Sequence, residues 1–327
     1  MHKLSVFAGI ALASCLGFSP LATVAAEPGF PSRAITLVVP FPPGGVTNGT
    51  ARIIGQRLSE ELGQSVVVDN RGGAASIIGA TYVARAAPDG YTLLLTSGTT
   101  FTVNPAIRAN LPYDPLKSFE PIGVTGRTGL ILLANNNAPV QTVRQFVDYV
   151  KASPGKYAYA SFGAGTTSQF AGESILHAAG LKMTHVPYKG SAQTMTDLMG
   201  GQIVFSVDTV SAAIPLLKSG KIKAIALTAA KRSSFLPDVP TLAESGYPDI
   251  DMDTWLMLVA PKGLPADTKA RLEKALAVTM ADPDTRTKLS ALGLEPSYSN
   301  AAAASELIKR ELPIMRAIAA RANIIAD

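Results

Sequence analysis

VVPFPPGGVTNGTAR, residues 38–52, decides the fold. A β-branched run ends at Val39, Pro42 and Pro43 stop a strand, and Gly44 and Gly45 remove side chains from the turn before a helix begins. A strand that passes into a helix through such a turn is the building unit of a parallel α/β sheet. It is also a place for an anion. The first helical turn leaves backbone N–H groups without intrahelical partners, and the helix dipole adds partial positive charge. The same residues serve equally well as an ordinary strand-to-helix turn, so the stretch alone fixes no function.

Outward from it, short apolar runs alternate with helical patterns along the chain. The first strand is residues 35–39, and the helix after the glycines carries Ile54, Leu58 and Leu62 on one stripe and stops at Gly63. Strands at 66–68 and 91–95 follow, with a helix through Ile78, Tyr82 and Val83 between them. Thr96-Ser97-Gly98-Thr99-Thr100 reads as a hydroxyl-rich loop at a strand's carboxyl end, where open α/β sheets bind ligands. A connection punctuated by Pro105, Pro112, Pro115 and Pro121 reads as ordered loop, with a change of domain after it.

A second α/β series then opens with a strand at 130–133, a helix at 143–151 and a strand at 157–161. That strand enters Phe162-Gly163-Ala164-Gly165-Thr166-Thr167-Ser168 and another helix, repeating the layout of the opening stretch. Two such loops, one per domain, imply a ligand gripped from both sides. Strands at 183–186, 203–207, 222–227 and 255–259 come next, and Asp208 and Thr209 end the second of these. Trp255 reads as core. Helices at 267–280, 285–292 and 305–322 return to the first domain and make it discontinuous. The expected division is 27–127 plus 248–327 for domain 1 and 128–247 for domain 2, each a mostly parallel sheet flanked by helices.

A chain of 327 residues suits two such domains. The net charge is +5, yet the longest basic cluster is Lys231-Arg232, which excludes nucleic acid as a partner. Lys3, an apolar run and the small residues ending at Ala26 form a secretory signal, with cleavage expected before Glu27. Leu12-Ala13-Ser14-Cys15 also has the pattern that precedes a lipidated cysteine. The apolar stretch continues past it through Leu16, Phe18 and Leu21, which favours the signal peptide. The mature chain then has no cysteine and needs no disulfide at this size.

Catalytic chemistry is sparse. His2, His177 and His185 have no zinc-site spacing, no G-x-S-x-G elbow occurs, and Ser168 stands where a dinucleotide fingerprint needs its third glycine. The Walker lysine is missing too. No catalytic residue, metal or cofactor is expected, and glycine loops without acid–base partners suit binding better than turnover. Thr99, Thr100, Thr166, Thr167 and Ser168 can each cap a helix or touch a ligand. Asp208 can cap as well. As a ligand contact it repels a carboxylate unless it meets an amine, a water or a neighbouring donor.

Six motifs in order bring a resemblance: VPFPPGG (39–45), APDGYTLL (87–94), LPYDP (111–115), YASFGAGTTS (159–168), HVPYKGSA (185–192) and LPDVPTLAESG (236–246). The chain resembles the periplasmic substrate-binding proteins of tripartite tricarboxylate transporters, the Bug family. The resemblance implies a two-domain periplasmic-binding-protein architecture, a monomer that hinges shut on a small organic anion and presents it to a pair of membrane subunits. Family contacts carry over onto Phe41, Pro43, Gly44, Gly45 and Thr47, onto Ser97, Thr99 and Thr100, and onto Ser161, Gly163, Gly165, Thr166, Thr167, Ser168 and Asp208. Two positions depart from the pattern: Asn48 stands where the family usually has aspartate, and Thr209 where it usually has asparagine. Signalling to a membrane sensor kinase is an alternative output, and an enzyme acting on a carboxylate is the remaining one. The ligand is a mono- or dicarboxylate, either aliphatic or with an aromatic body between Phe41 and Phe162.

Overall fold

The computed structural model describes residues 29–324. The expected signal peptide and Cys15 lie outside the described residues. The first lobe opens with β1 (Ile35–Val39), α1 (Val46–Leu62), β2 (Val66–Asn70), α2 (Ile77–Ala84) and β3 (Thr92–Ser97). β1 lies between β2 and β3, parallel to both. Ile54, Leu58 and Leu62 of α1 pack on Leu37 and Leu93, as their spacing requires. The helix stops at Gly63, whose φ of 70° lets its N–H reach the Ser59 carbonyl.

The expected loop at 96–100 is instead the end of β3 followed by a π-helical turn, Thr99–Val103, and the short α3 (Asn104–Ile107). Hydroxyls drive the coiling here. Thr102 Oγ1 donates to the Gly98 carbonyl (2.9 Å), and Thr100 Oγ1 lies 2.5 Å from Thr96 Oγ1.

The proline-rich connection also ends sooner than expected, because β4 spans Phe119–Asn135 and includes Pro121. A register shift between Pro121 and Gly123 absorbs the proline. The second lobe follows as α4 (Val143–Lys151), β5 (Ala158–Ser161), α5 (Thr167–Ala179), β6 (Thr184–Pro187), α6 (Ser191–Met199), β7 (Phe205–Thr209), α7 (Val210–Lys218) and β8 (Ile222–Leu227). The chain returns with β9 (Asp253–Pro261), α8 (Ala266–Ala281), α9 (Pro283–Ala291), β10 (Ser299–Asn300) and α10 (Ala301–Arg321).

The backbone of the fold is β2-β1-β3-β9-β4-β7-β5-β6, with β8 and β10 also on β4. Parallel pairs are confined to the outer βαβ units, β1 with β2 and β3, and β5 with β6 and β7. The two strands that carry the chain between lobes are antiparallel to their neighbours, so each sheet is mixed. β4 belongs to both: up to Gly129 it pairs with β9, and from Leu130 with β7 and β8. α10 spans the lobes as well, with Leu307 and Ile308 in the first core and Met315 and Ala319 in the second.

Thr228 fastens the crossing. It is fully buried; its N–H donates to the Leu130 carbonyl (3.0 Å), its carbonyl accepts the Met252 N–H (2.9 Å), and its Oγ1 lies 2.6 Å from the Met252 carbonyl oxygen. Two of the three passages between lobes, β4 and the run into β9, therefore meet in one residue's hydrogen bonds, and α10 is the third. Thr228→Val keeps the side-chain shape but removes the hydroxyl donor, and is expected to lower stability by about 1–3 kcal/mol in urea unfolding. A change under about 0.5 kcal/mol would show that the hydroxyl bond to Met252 adds little.

Candidate functional site

The cleft lies where the carboxyl ends of strands from both lobes meet. Its wall is Phe41, Pro42, Gly45, Val46, Thr47, Ser97, Thr254 and Leu256 from the first lobe, and Phe162, Thr167, Gly190, Ser191 and Thr209 from the second. No wall residue is charged. Positive potential comes from the helices: α1, α5, α6 and α7 all begin at the wall, with Gly45, Thr166, Gly190 and Thr209 as N-caps. None of the four has an acid in its first turn, whereas α8 and α9 carry Asp267 and Asp284 there. Four helix N-termini favour an anion, with the Asp208 carboxyl group set against those of α6 and α7, and α1 and α6 lack any side-chain cap to occupy their N–H groups.

The anticipated residues separate by depth. Phe41, Gly45, Thr47, Ser97 and Thr167 stand on the wall. Pro43 and Gly44 are exposed at the lip, and a Cβ on Gly44 would lie 3.1 Å from Ala192 Cβ in the other lobe. Thr99 Oγ1 accepts the Thr167 N–H across the lobes (3.2 Å).

The others sit one layer behind. Thr100 Oγ1 bonds Ser76 and Thr96 inside the first lobe. Ser168 Oγ donates to the Val207 carbonyl (2.6 Å), and Thr166 Oγ1 to the Gly163 carbonyl (2.7 Å). The Gly165 N–H donates to Gln169 Oε1 (2.7 Å). These bonds hold the 162–168 loop in shape, with Gly163 and Gly165 at φ of 153° and 72°.

Ser161 Oγ lies 2.7 Å from His185 Nε2 and accepts the Gly163 N–H (3.1 Å). The pair looks like a nucleophile and base, but Ser161 is fully buried and no carboxylate hydrogen-bonds the ring among the described residues. Burial also pulls His185 down to about 4, which leaves it neutral. The pair shapes the loop.

The two departures from the family pattern gain structural roles. Asn48 caps nothing: its Nδ2 donates to Asn70 Oδ1 (2.9 Å), and Asn70 Nδ2 donates to the Phe41 carbonyl (2.8 Å), which braces the first glycine loop. Thr209, not Asp208, is the N-cap of α7, and its Oγ1 accepts the Ala212 N–H (3.2 Å). Asp208 is fully buried behind the wall, with Oδ1 accepting from Ser191 Oγ (2.6 Å) and the Thr209 N–H (2.7 Å).

Sequence reasoning did not select Pro42, Val46, Gly190, Ser191, Thr254 or Leu256. Leu256 falls in the run 255–259, which reads as strand, and Thr254 directly precedes it. Thr254 and Thr167, one from each lobe, hold buried hydroxyls without a hydrogen-bond partner, and Asp208 Oδ2 is a third such oxygen. Orphaned polar atoms gathered at one cleft point to a polar guest. A roomier groove of about 450 Å³ lies at the crossing strands, but its Arg127 is already paired with Asp253 and Glu311.

The lobes touch across the cleft. Gly190, at φ 144°, packs so closely that a Cβ there would lie 2.8 Å from Pro42 Cγ. Gly165 meets Ala75, Asn104 and Arg108 in the same manner, and Ala74, Ala75 and Ser76 hold three successive positive φ angles at that rim. The cavity left inside is narrow, about 40 Å³.

Two mixed α/β lobes on shared crossing strands, closed over a cleft lined by helix N-termini, define a two-domain binding protein of the periplasmic type. Residues 50–324 match the model of the tripartite tricarboxylate transporter family receptor, and the chain belongs to that family. It is 35% identical over 307 residues to the UPF0065 protein in the tcbD-tcbE intergenic region of Pseudomonas sp. (strain P51), covering 94% of this chain and 90% of that one. The solved periplasmic binding protein BugD superposes with a TM-score of 0.87 at 35% identity, covering 91% of this chain and all of that one. R. palustris Rpa4515, solved with adipate, gives a TM-score of 0.87 at 34% identity over 90% of this chain and 99% of its own.

Gly190→Ala is expected to force the lip apart and weaken ligand binding at least about tenfold, because it adds both a clash and a φ that only glycine adopts readily. Calorimetric titration checks this. Unchanged affinity would mean that contact between Pro42 and Gly190 is not needed for capture.

Proposed function

We propose that this protein captures a small organic carboxylate between its lobes and delivers it to the membrane subunits of a tripartite tricarboxylate-type transporter. The observation that carries the reading is the convergence of four helix N-termini, none with an acid in its first turn, on a cleft whose wall has hydroxyls and no charged side chain. Such a site holds a carboxylate by backbone N–H groups and hydroxyls in place of an arginine. Phe41, Phe162, Val46 and Leu256 supply an apolar surface for the body of the acid. The adipate of the R. palustris relative has that chemistry.

Entry needs motion. Gly44 and Gly190 hold the lobes in contact around a cavity of about 40 Å³, so the lobes part and close again about the hinge where β4 leaves one sheet for the other and residues 228–252 lead back. The domain division at 127/128 and 247/248 belongs to this reading, except that Ile250, Met252 and the second half of α10 pack in the second core. So does export by the expected signal peptide. Among the described residues no helix is long and apolar enough to cross a membrane. Binding without turnover is part of the same reading, since Ser161 is fully buried and no carboxylate hydrogen-bonds the His185 ring among the described residues.

Thermal unfolding with sodium salts of adipate, malate and benzoate tests the assignment. An acid present at about 100 times its dissociation constant adds about 2.7 kcal/mol, a rise in Tm of about 5 °C. If no carboxylate in the panel shifts the transition while the protein is folded, the reading fails.

A further inference from the structure

Asp208 is a carboxyl group built into a site that, on the reading above, takes an anion. Three groups donate to its Oδ1, the Ser191 hydroxyl (2.6 Å), the Thr209 N–H (2.7 Å) and, at longer range, the Thr209 hydroxyl (3.4 Å); all belong to wall residues, so the carboxyl group stands one hydrogen bond behind the wall. Its Oδ2 is buried and has no partner. An ionised carboxylate there is desolvated on one oxygen and has only the N-termini of α6 and α7, and no cationic side chain, to offset it.

Among the described residues no cationic side chain pairs with Asp208, and Lys189, in the loop before α6, is exposed. Residues 130–134 of β4 and 158–161 of β5 hold no acid or base apart from Tyr159, whose hydroxyl donates to Glu173 of α5. The acid of α6, Asp197, accepts from Tyr188, and Lys218 is at the far end of α7. His185 of β6 is neutral and holds Ser161. The wall contributed by the first lobe is uncharged.

We propose that Asp208 enters the ligand complex as the neutral carboxylic acid, so that capture of an organic anion takes up one proton. The inference rests on the carboxylate reading of the cleft and deepens it. Two carboxylates in a closed, water-poor site cannot both stay ionised without a cation between them, and the proton settles on the one with no solvent. Protonation turns a buried acceptor into a donor and removes the like charge from behind the wall. Burial already prepares the group, since it pushes Asp208 up to about 6 against the opposing bonds from Ser191 and Thr209.

The sign of the linkage follows. Below about pH 6 the group is protonated before the ligand arrives, and affinity is flat with pH. Above it each captured anion must bring a proton from solution, and the dissociation constant rises toward about tenfold per pH unit.

Isothermal titration calorimetry of the mature protein with adipate, malate and benzoate decides the matter. Each acid is titrated in HEPES and in Tris between about pH 6.5 and 8, where all three are ionised. For an acid that binds, the expected result is a heat that depends on the buffer, corresponding to about one proton taken up, with weaker binding at higher pH. Asp208→Asn, which cannot ionise, is expected to lose both the proton uptake and the pH slope. If that variant does not fold, the wild-type proton count still decides. An acid that binds with equal heat in both buffers and a flat pH profile overturns the inference and leaves the carboxylate reading standing. Failure of every acid at every pH overturns the carboxylate reading, and the inference with it.

Discussion

The structure depends on β4 being one strand in two sheets. Because Phe119–Gly129 pairs in the first lobe and Leu130–Asn135 in the second, the lobes cannot separate; they can only turn about the point where the pairing changes. The return through Thr228 and Met252 ties the second passage to the first. The geometry of the crossing also fixes where the cleft opens. The carboxyl ends of β1, β3, β5 and β7 all face it, and each delivers its following loop or helix start to the same space.

That placement explains a site for an anion without a basic side chain. A helix N-terminus carries its partial charge in the backbone, so it cannot swing away and brings no side-chain entropy to lose. Four of them, none with an acid in its first turn, set the sign of the potential, and hydroxyls such as those of Thr167 and Thr254 supply directed donors. What such a site lacks is any fixed positive charge strong enough to offset a buried carboxylate. Asp208 is therefore the residue on which its electrostatics turn.

Much of this was legible in the sequence. Residues 35–39, 143–151 and 222–227 were placed as the structure has them, because their apolar periodicity and flanking glycines or prolines leave little choice. The first part of β4 was not. Pro121, Gly123, Gly126 and Gly129 look like loop, but a Cβ on Gly123 or Gly126 would lie 2.9 Å from the Ser299 carbonyl or 2.8 Å from that of Glu295. Close approach by a distant segment requires those glycines, and sequence proximity cannot show it. The site divides in the same way. The glycine loops and their direction followed from strand–turn–helix order, whereas the depth of each hydroxyl did not. Thr99 reaches across the cleft and Thr100 turns inward, a difference set by the π-helical turn that carries both. The position of Asn48 as a brace needed the Asn70 side chain, 22 residues away.

The central claim is that the lobes close on a small carboxylate. Spin labels on cysteines introduced at the exposed positions Gln56 of α1 and Gln193 of α6 would report the separation of the lobes by pulsed electron resonance. The account predicts a distance distribution that is broad or long in the free protein and becomes short and narrow with the acid that gives the largest thermal shift. A distribution unchanged by a saturating, thermally stabilising acid would contradict it.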